Sequence, residues 1–279
     1  MRDPIASDEI ADGLFATAWD QSKNLHCETG RIDLSLILPT YNERENLKEL
    51  FARIDRALAG GCFEVIVVDD DSPDRTWAVA QEFQKHYAWL RVIRRRNARG
   101  LASAVIYGFR HCRGDVLGVM DADLQHDAAL LPALLGEMDH ADFAVATRRA
   151  VGGSDGKWSK LRRFGSLLAT AIARWMTKTP FSDPMSGFFL VRREVFRSID
   201  VGLRPRGYKI LIYLYAKAAQ RVGKDALRFA EVGYQFAKRA HGRSKLSFAV
   251  IIDYFLMLMG LRLGARAGAR RPQWSHAAF

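Results

Sequence analysis

The chain has 279 residues, with 42 Lys and Arg against 31 Asp and Glu, a formal charge of +11 and 49% apolar residues. That length makes one large domain or two small ones, and the composition excludes wholesale disorder. It also excludes a multi-span membrane protein, because a single apolar stretch approaches spanning length. The three unpatterned cysteines, Cys27, Cys62 and Cys112, read as free thiols rather than a disulfide framework or zinc cluster.

Residues 1–30 mix acids, glycine and polar residues without periodicity or an apolar leader, and read as an N-terminal extension of a cytosol-facing protein. LSLILP, from Leu34 to Pro39, is a short apolar run closed by proline, a buried-strand signal. Leu47, Leu50, Phe51, Ile54 and Leu58 follow at helical spacing, ended by Gly60-Gly61. The alternation continues with strand Glu64–Asp71, a helix from about Asp74 and strand Leu90–Ile93. A helix from about Gly100, strand Asp115–Asp123, a helix over Leu130–Met138 and strand Asp142–Thr147 complete it. Strands separated by helices predict an α/β fold, a parallel sheet with helices on both faces. The second half is less regular. An amphipathic helix over Phe164–Thr177 precedes the loop SDPMSG and the apolar run FFLV; Tyr208–Ala219 reads as a helix and Leu227–Tyr234 as a strand. The segment Leu246–Gly260 is strongly apolar but interrupted by Asp253. It falls short of the roughly 20 residues of a span and reads as a helix lying in a membrane interface.

Ligands on such sheets gather at the carboxyl ends of the strands. There the sequence places Asp69, Asp70, Asp121 and Asp123. The pair Asp121-x-Asp123, with Gln125 after it, offers hard oxygen donors on one face, the set that Mg²⁺ and Mn²⁺ prefer beside substrate phosphates. Asp71, Ser72 and Asp74 also suit a helix N-cap, and His126 reads as a supporting or packing residue. A phosphate-loop motif, a dinucleotide fingerprint, a nucleophile elbow and a histidine metal spacing are all missing. From Arg148 to Arg163 there are six basic residues and one acid, and from Arg262 onward four arginines and no acid. Both runs border apolar helical stretches, which suits an anionic membrane surface better than nucleic acid.

Taken together, LPTYNERENL, VDDDSPD, RGLASAVIYG, MDADLQH, SDPMSGF and RAHGRSKL resemble, in order and spacing, the family 2 glycosyltransferases of GT-A fold, in their polyprenol-phosphate (dolichol-phosphate) mannosyltransferase-like branch. The resemblance spans Leu34 to Leu263. It implies a mostly parallel, Rossmann-like sheet plus amphipathic membrane-interface helices, with a glycosyltransferase domain over 31–245. Residues 31–147 would bind nucleotide, 148–245 the acceptor, and 246–279 would form an apolar interface helix and basic tail. By the same resemblance Pro39, Tyr41, Glu43, Asp69 and Asp70 hold the nucleotide. Asp121, Asp123 and Gln125 hold metal and diphosphate, and Asp121 also belongs to the nucleotide set. Arg148, Arg162 and Ser166 receive a lipid phosphate, and Arg239, Ser244 and Lys245 close over the donor diphosphate. Asp183 lies near the site. Tyr213 and Tyr107 stand where many relatives carry an acid, which bears on donor or acceptor choice.

The expected reaction is metal-dependent transfer of a sugar, mannose from GDP-mannose in first place, to a polyprenyl phosphate with inversion. Mg²⁺ or Mn²⁺ is the expected cofactor and Arg239 and Lys245 assist departure of the leaving group. The expected setting is the cytoplasmic face of a membrane, peripheral or interface-anchored, with room for a small anchoring partner and no role for nucleic acid. Rival readings are the same fold using UDP-glucose or UDP-N-acetylglucosamine, transfer to a saccharide, and a silent nucleotide-sugar-binding scaffold.

Overall fold

The computed structural model describes residues 30–148, 179–200, 203, 209–235 and 259. The expected extension over 1–30 (save Gly30), the amphipathic helix at 164–177, Arg162, Ser166, Arg239, Ser244 and Lys245 lie outside them, as does the interface helix from 246 onward apart from Met259.

The described chain alternates strands and helices. In order they are β1 (Leu34–Thr40), α1 (Leu47–Ala57), β2 (Phe63–Asp69), α2 (Thr76–Gln84), β3 (Leu90–Arg94), α3 (Leu101–His111) and β4 (Val116–Val119). Then come α4 (Leu131–Glu137), β5 (Phe143–Thr147), β6 (Phe189–Arg192), α5 (Arg193–Ile199), α6 (Ile210–Val222) and β7 (Phe229–Gly233). The seven strands form one sheet in the order β3-β2-β1-β4-β6-β5-β7. Strand β6 runs antiparallel to β4 and β5, and every other pairing is parallel. The alternation predicted a parallel sheet; the sheet is mostly parallel, as the resemblance implies, with one reversed strand between β4 and β5.

Near-continuous apolar runs such as LSLILP form strands covered on both faces. Ile37, Ile66, Val68, Leu117 and Val119 pack with α3, α5 and α6 on one face. Their alternating neighbours Leu36, Leu38, Val65 and Val67 pack with α1, α2 and α4 on the other. Leu47, Leu50, Phe51 and Ile54 of α1 are fully or almost fully buried, as their i, i+3, i+4, i+7 spacing requires. Tyr107 and Tyr213, the two departures noted in the sequence, pack in the cluster of α3 and α6.

Two strand ends differ from expectation. The expected strand Glu64–Asp71 ends at Asp69, and the expected strand Asp115–Asp123 ends at Val119. Hence Asp70, Asp71, Asp121 and Asp123 stand on the loops beyond the sheet's carboxyl edge, and the shared face of strand residues does not make Asp121 and Asp123 converge. Free thiols were also expected throughout. Cys112 is free and buried, whereas Cys62 is disulfide-bonded. Among the described residues no helix is long and apolar enough to cross a membrane.

Candidate active site

The loops after β1, β2 and β4 lie side by side because those strands are neighbours in the sheet. They hold non-glycine residues in the left-handed region: Asn42 (φ 57°), Asp71 (φ 54°), Arg75 (φ 61°) and Leu124 (φ 61°). Each costs roughly 1–2 kcal/mol and persists only where neighbours hold it.

Those neighbours are polar. The register pairs Thr40 with Asp69 at the ends of β1 and β2. Asp69 accepts from Thr40 Oγ1 at 2.8 Å, from Ser72 Oγ at 2.6 Å and from the Ser72 amide at 2.8 Å. Burial pushes its carboxyl above the ordinary aspartate range, against the opposing pull of these bonds. Ser72 Oγ accepts in turn from the Asn42 amide at 3.0 Å. Asp74 accepts from the Thr76 amide at 2.9 Å, but the N-cap position of α2 falls on Arg75 rather than on Asp71, Ser72 or Asp74, and no side chain caps it. Asp69 thus ties two loops together, with its side chain fully buried.

Asp70 meets Arg95, whose Nε donates at 2.7 Å, and the Gly100 amide at 2.7 Å. Gly100 opens α3 at φ 126°, a conformation that side chains rarely adopt. The pair Asp70–Arg95 is buried and carries the start of α3. Glu43 is also buried and accepts from Asn46 Nδ2 at 2.7 Å. Pro39 and Tyr41 are partly exposed, and the Arg99 guanidinium lies 5.4 Å from the Tyr41 ring centroid. Beyond Arg99 an open cleft of about 600 Å³ is lined by Asp71, Arg75, Trp77, Arg94 and Arg99 among others. Arg94 stacks 3.8 Å over Trp77 and its Nε donates to Asp71 at 2.6 Å.

The second cluster forms where β4, β5 and the SDPMSG loop meet. The Asp121 side chain is about a third exposed, and Asp123 is buried, accepting from the Gln125 amide at 3.1 Å. Gly187 lies directly against Asp121: a Cβ there would stand 2.3 Å from Oδ2. His126 Nε2 approaches the same oxygen at 3.5 Å. Arg148, just after β5, is held by Asp183, with Nε and one terminal nitrogen 2.8 and 2.7 Å from Oδ2. Asp183 is 1% exposed and its Oδ1 has no hydrogen-bond partner among the described residues. Ser186 laces the loop to β5 by donating to the Ala146 carbonyl at 2.7 Å.

Lys209 was not singled out in the sequence. It is partly exposed as a residue, but its ammonium end is enclosed, and burial lowers its pKa while Asp121 and Asp183 pull it back up. Its Nζ lies 3.5 Å from the Met185 carbonyl. Gly187 and Tyr234 were missed as well. No spacing in a sequence reports which glycine will face a carboxylate across a sheet.

As a donor set, Asp121 and Asp123 are two hard carboxylates, and among the described residues no group of three or more acids, histidines or cysteines forms a closed cage. That suits a divalent cation that keeps water and substrate oxygens in its shell. The residues present fit such an ion.

Comparison with known proteins gives the family and the fold. The family model described as glycosyl transferase family 2 matches residues 35–200. A dolichol-phosphate mannosyltransferase of Pyrococcus furiosus is 44% identical over 225 residues, 79% of this chain and 61% of its own. The chain therefore spans about three-fifths of that relative's length. A dolichol-phosphate mannosyltransferase of Saccharomyces cerevisiae is 37% identical over 237 residues, 82% of this chain and 87% of its own. Among solved structures, glucosyl-3-phosphoglycerate synthase from Mycobacterium tuberculosis, in complex with uridine diphosphate, superposes with a TM-score of 0.62 at 19% identity, covering 88% of this chain and 84% of that one. The fold is thus GT-A-like.

Proposed function

We propose a function from one established premise: the chain belongs to glycosyl transferase family 2. It transfers a sugar from a nucleotide-sugar, with GDP-mannose the favoured donor, to a polyprenyl phosphate, as the names of its mannosyltransferase relatives suggest. The observation that carries this reading is the ionic cluster at the sheet's carboxyl edge. The SDPMSG loop carries both Asp183, which holds Arg148, and Gly187, which abuts Asp121, so the exposed carboxylate and the arginine belong to one site.

The acceptor phosphate is anionic at neutral pH, so it needs charge neutralisation rather than a strong base. Arg148 supplies a permanent charge, aimed by Asp183. An acceptor oxygen attacks the anomeric carbon, the bond from that carbon to the diphosphate oxygen breaks, and the nucleoside diphosphate leaves with the electron pair. One displacement inverts the configuration. Asp121 and Asp123, with Gln125 beside them, would hold Mg²⁺ or Mn²⁺. Such an ion, when bound, stabilises charge on the departing diphosphate. Lys209 adds a cation to the same region, and Arg239 and Lys245 are proposed to assist from the late basic element. Tyr41, Asp70, Glu43 and Pro39, with the loop tied by Asp69, shape the nucleotide end. Arg162 and Ser166 are proposed partners of Arg148. The protein works at the cytoplasmic face of a membrane, attached by its interface helices or an anchoring partner.

The test is a donor panel. Polyprenyl phosphate, Mg²⁺ or Mn²⁺ and each labelled nucleotide-sugar are incubated with the protein and extracted into organic solvent. Label from GDP-mannose, abolished by a chelator, is the expected result. Label from a UDP-sugar alone would replace the donor, and no label from any donor would overturn lipid-phosphate glycosylation.

A further inference from the structure

His126 is 4% exposed, and its ring packs against Phe188 and Tyr234, with centroids 5.5 and 5.6 Å away. An imidazole in such a place needs its nitrogens satisfied. Nδ1 lies 2.7 Å from the Tyr234 hydroxyl, and Nε2 lies 3.5 Å from Asp121 Oδ2. Tyr234 is 5% exposed, and burial first, then Asp183, Asp121 and Asp123, hold its phenol protonated well above the ordinary range, against Arg148. These contacts assign the tautomer. A bare Nε2 lone pair would repel the carboxylate facing it, so Nε2 carries hydrogen, and the phenol donates to Nδ1.

We infer that Tyr234 and His126 form a positioning relay for Asp121: the hydroxyl sets the imidazole, and the Nε2–H keeps the carboxylate turned toward a divalent cation. The inference rests on the reading of Asp121 as a metal-holding carboxylate. Oδ2 is bounded on two sides, by His126 and by Gly187, where not even a methyl group fits. At 3.5 Å the imidazole orients this oxygen without engaging it in a short bond that would compete with a cation. The relay also has an anchor on the acceptor side. The Tyr234 amide donates to the Thr147 carbonyl at 3.0 Å, one residue before Arg148. The end of β5 thereby sets both Arg148 and, through Tyr234 and His126, Asp121. Neither Tyr234 nor His126 touches the reacting atoms in this scheme.

The experiment is Mn²⁺ titration of the full chain with GDP present, read by the electron paramagnetic resonance of free Mn²⁺, alongside GDP binding without metal. His126→Leu is expected to weaken Mn²⁺ binding about 10- to 100-fold, as loss of a supporting partner does elsewhere. Tyr234→Phe, which keeps the ring, loses about 3- to 10-fold. His126→Gln places an amide donor near the Nε2 position and stays within about 3-fold of wild type. Metal-free GDP binding is unchanged in all three. Unaltered Mn²⁺ affinity in Tyr234→Phe, or a loss in His126→Gln equal to that in His126→Leu, overturns the relay while the metal reading stands. A parallel loss of metal-free GDP binding also overturns it, because the residues would then be packing the pocket as a whole. Absence of Mn²⁺ uptake by the wild-type chain overturns the metal reading and the relay with it.

Discussion

Single contacts decide what each acid at the edge of the sheet does. Asp69, Asp70, Asp121 and Asp123 look alike in the sequence, yet one ties loops, one anchors a helix start, one is buried against the Gln125 amide and one is about a third exposed. Gly187 separates stability from function. A Cβ at that position meets the tip of the Asp121 side chain rather than backbone, so the carboxylate swings aside at little cost. Gly187→Ala is therefore expected to keep its urea midpoint within about 1 kcal/mol of wild type, while turnover in the organic-phase assay falls about 100-fold because Asp121 is displaced. Cys112 gives a second residue-level outcome. Burial pushes its thiol up to about 12, so at pH 8 it is neutral and enclosed. Iodoacetamide should leave Cys112 unmodified in the folded protein and alkylate it in urea, as peptide mass analysis would read. The linkage sign follows from an acid whose folded pKa is raised. Its contribution to stability is present below about pH 9 and is lost as pH rises through about 12.

Elements are held in place by buried polar pins as much as by apolar faces. Glu64 of β2 is 1% exposed, and its Oε1 accepts from Ser35 Oγ and the Arg113 amide, both at 2.6 Å. Its Oε2 accepts from Arg91 at 2.8 Å. One side chain thus joins β1, β2, β3 and the turn from α3 into β4. Glu64→Leu strands these donors and is expected to cost about 3–5 kcal/mol by urea denaturation. The fraction still folded should keep normal donor affinity, because the pin lies at the opposite end of β1 from Thr40. At this scale the sequence was informative about where elements begin and less so about where they end. Leu47, Leu50, Phe51 and Ile54 announce α1, but an apolar run that flows into aspartates has no local mark for its last ladder bond. The reversal of β6 was equally silent, since FFLV reads the same in either direction.

At the scale of the molecule, the sheet divides the core into two faces and leaves its carboxyl edge for chemistry. The formal charge of +11 then matters for where the protein works. Co-sedimentation with vesicles containing about a third anionic lipid should be strong at low salt and fall steeply toward 0.5 M salt, since basic residues near a membrane each contribute about 1 kcal/mol and are screened. Binding that persists unchanged at high salt would assign attachment to apolar insertion instead.

The sequence by itself determined the parallel α/β plan, because alternating apolar runs and helical stripes have few other ways to bury themselves. It also brought Asp121, Asp123 and Arg148 forward as candidate site residues, because acids and arginines at strand ends collect where such sheets are open. Only the tertiary structure decided the company these residues keep. Asp183 against Arg148, Gly187 against Asp121, Tyr234 behind His126 and Lys209 against the Met185 carbonyl are all contacts between distant parts of the chain. Local pattern reports burial and period. Which buried groups meet across a sheet is set by strand order and by the one reversed strand.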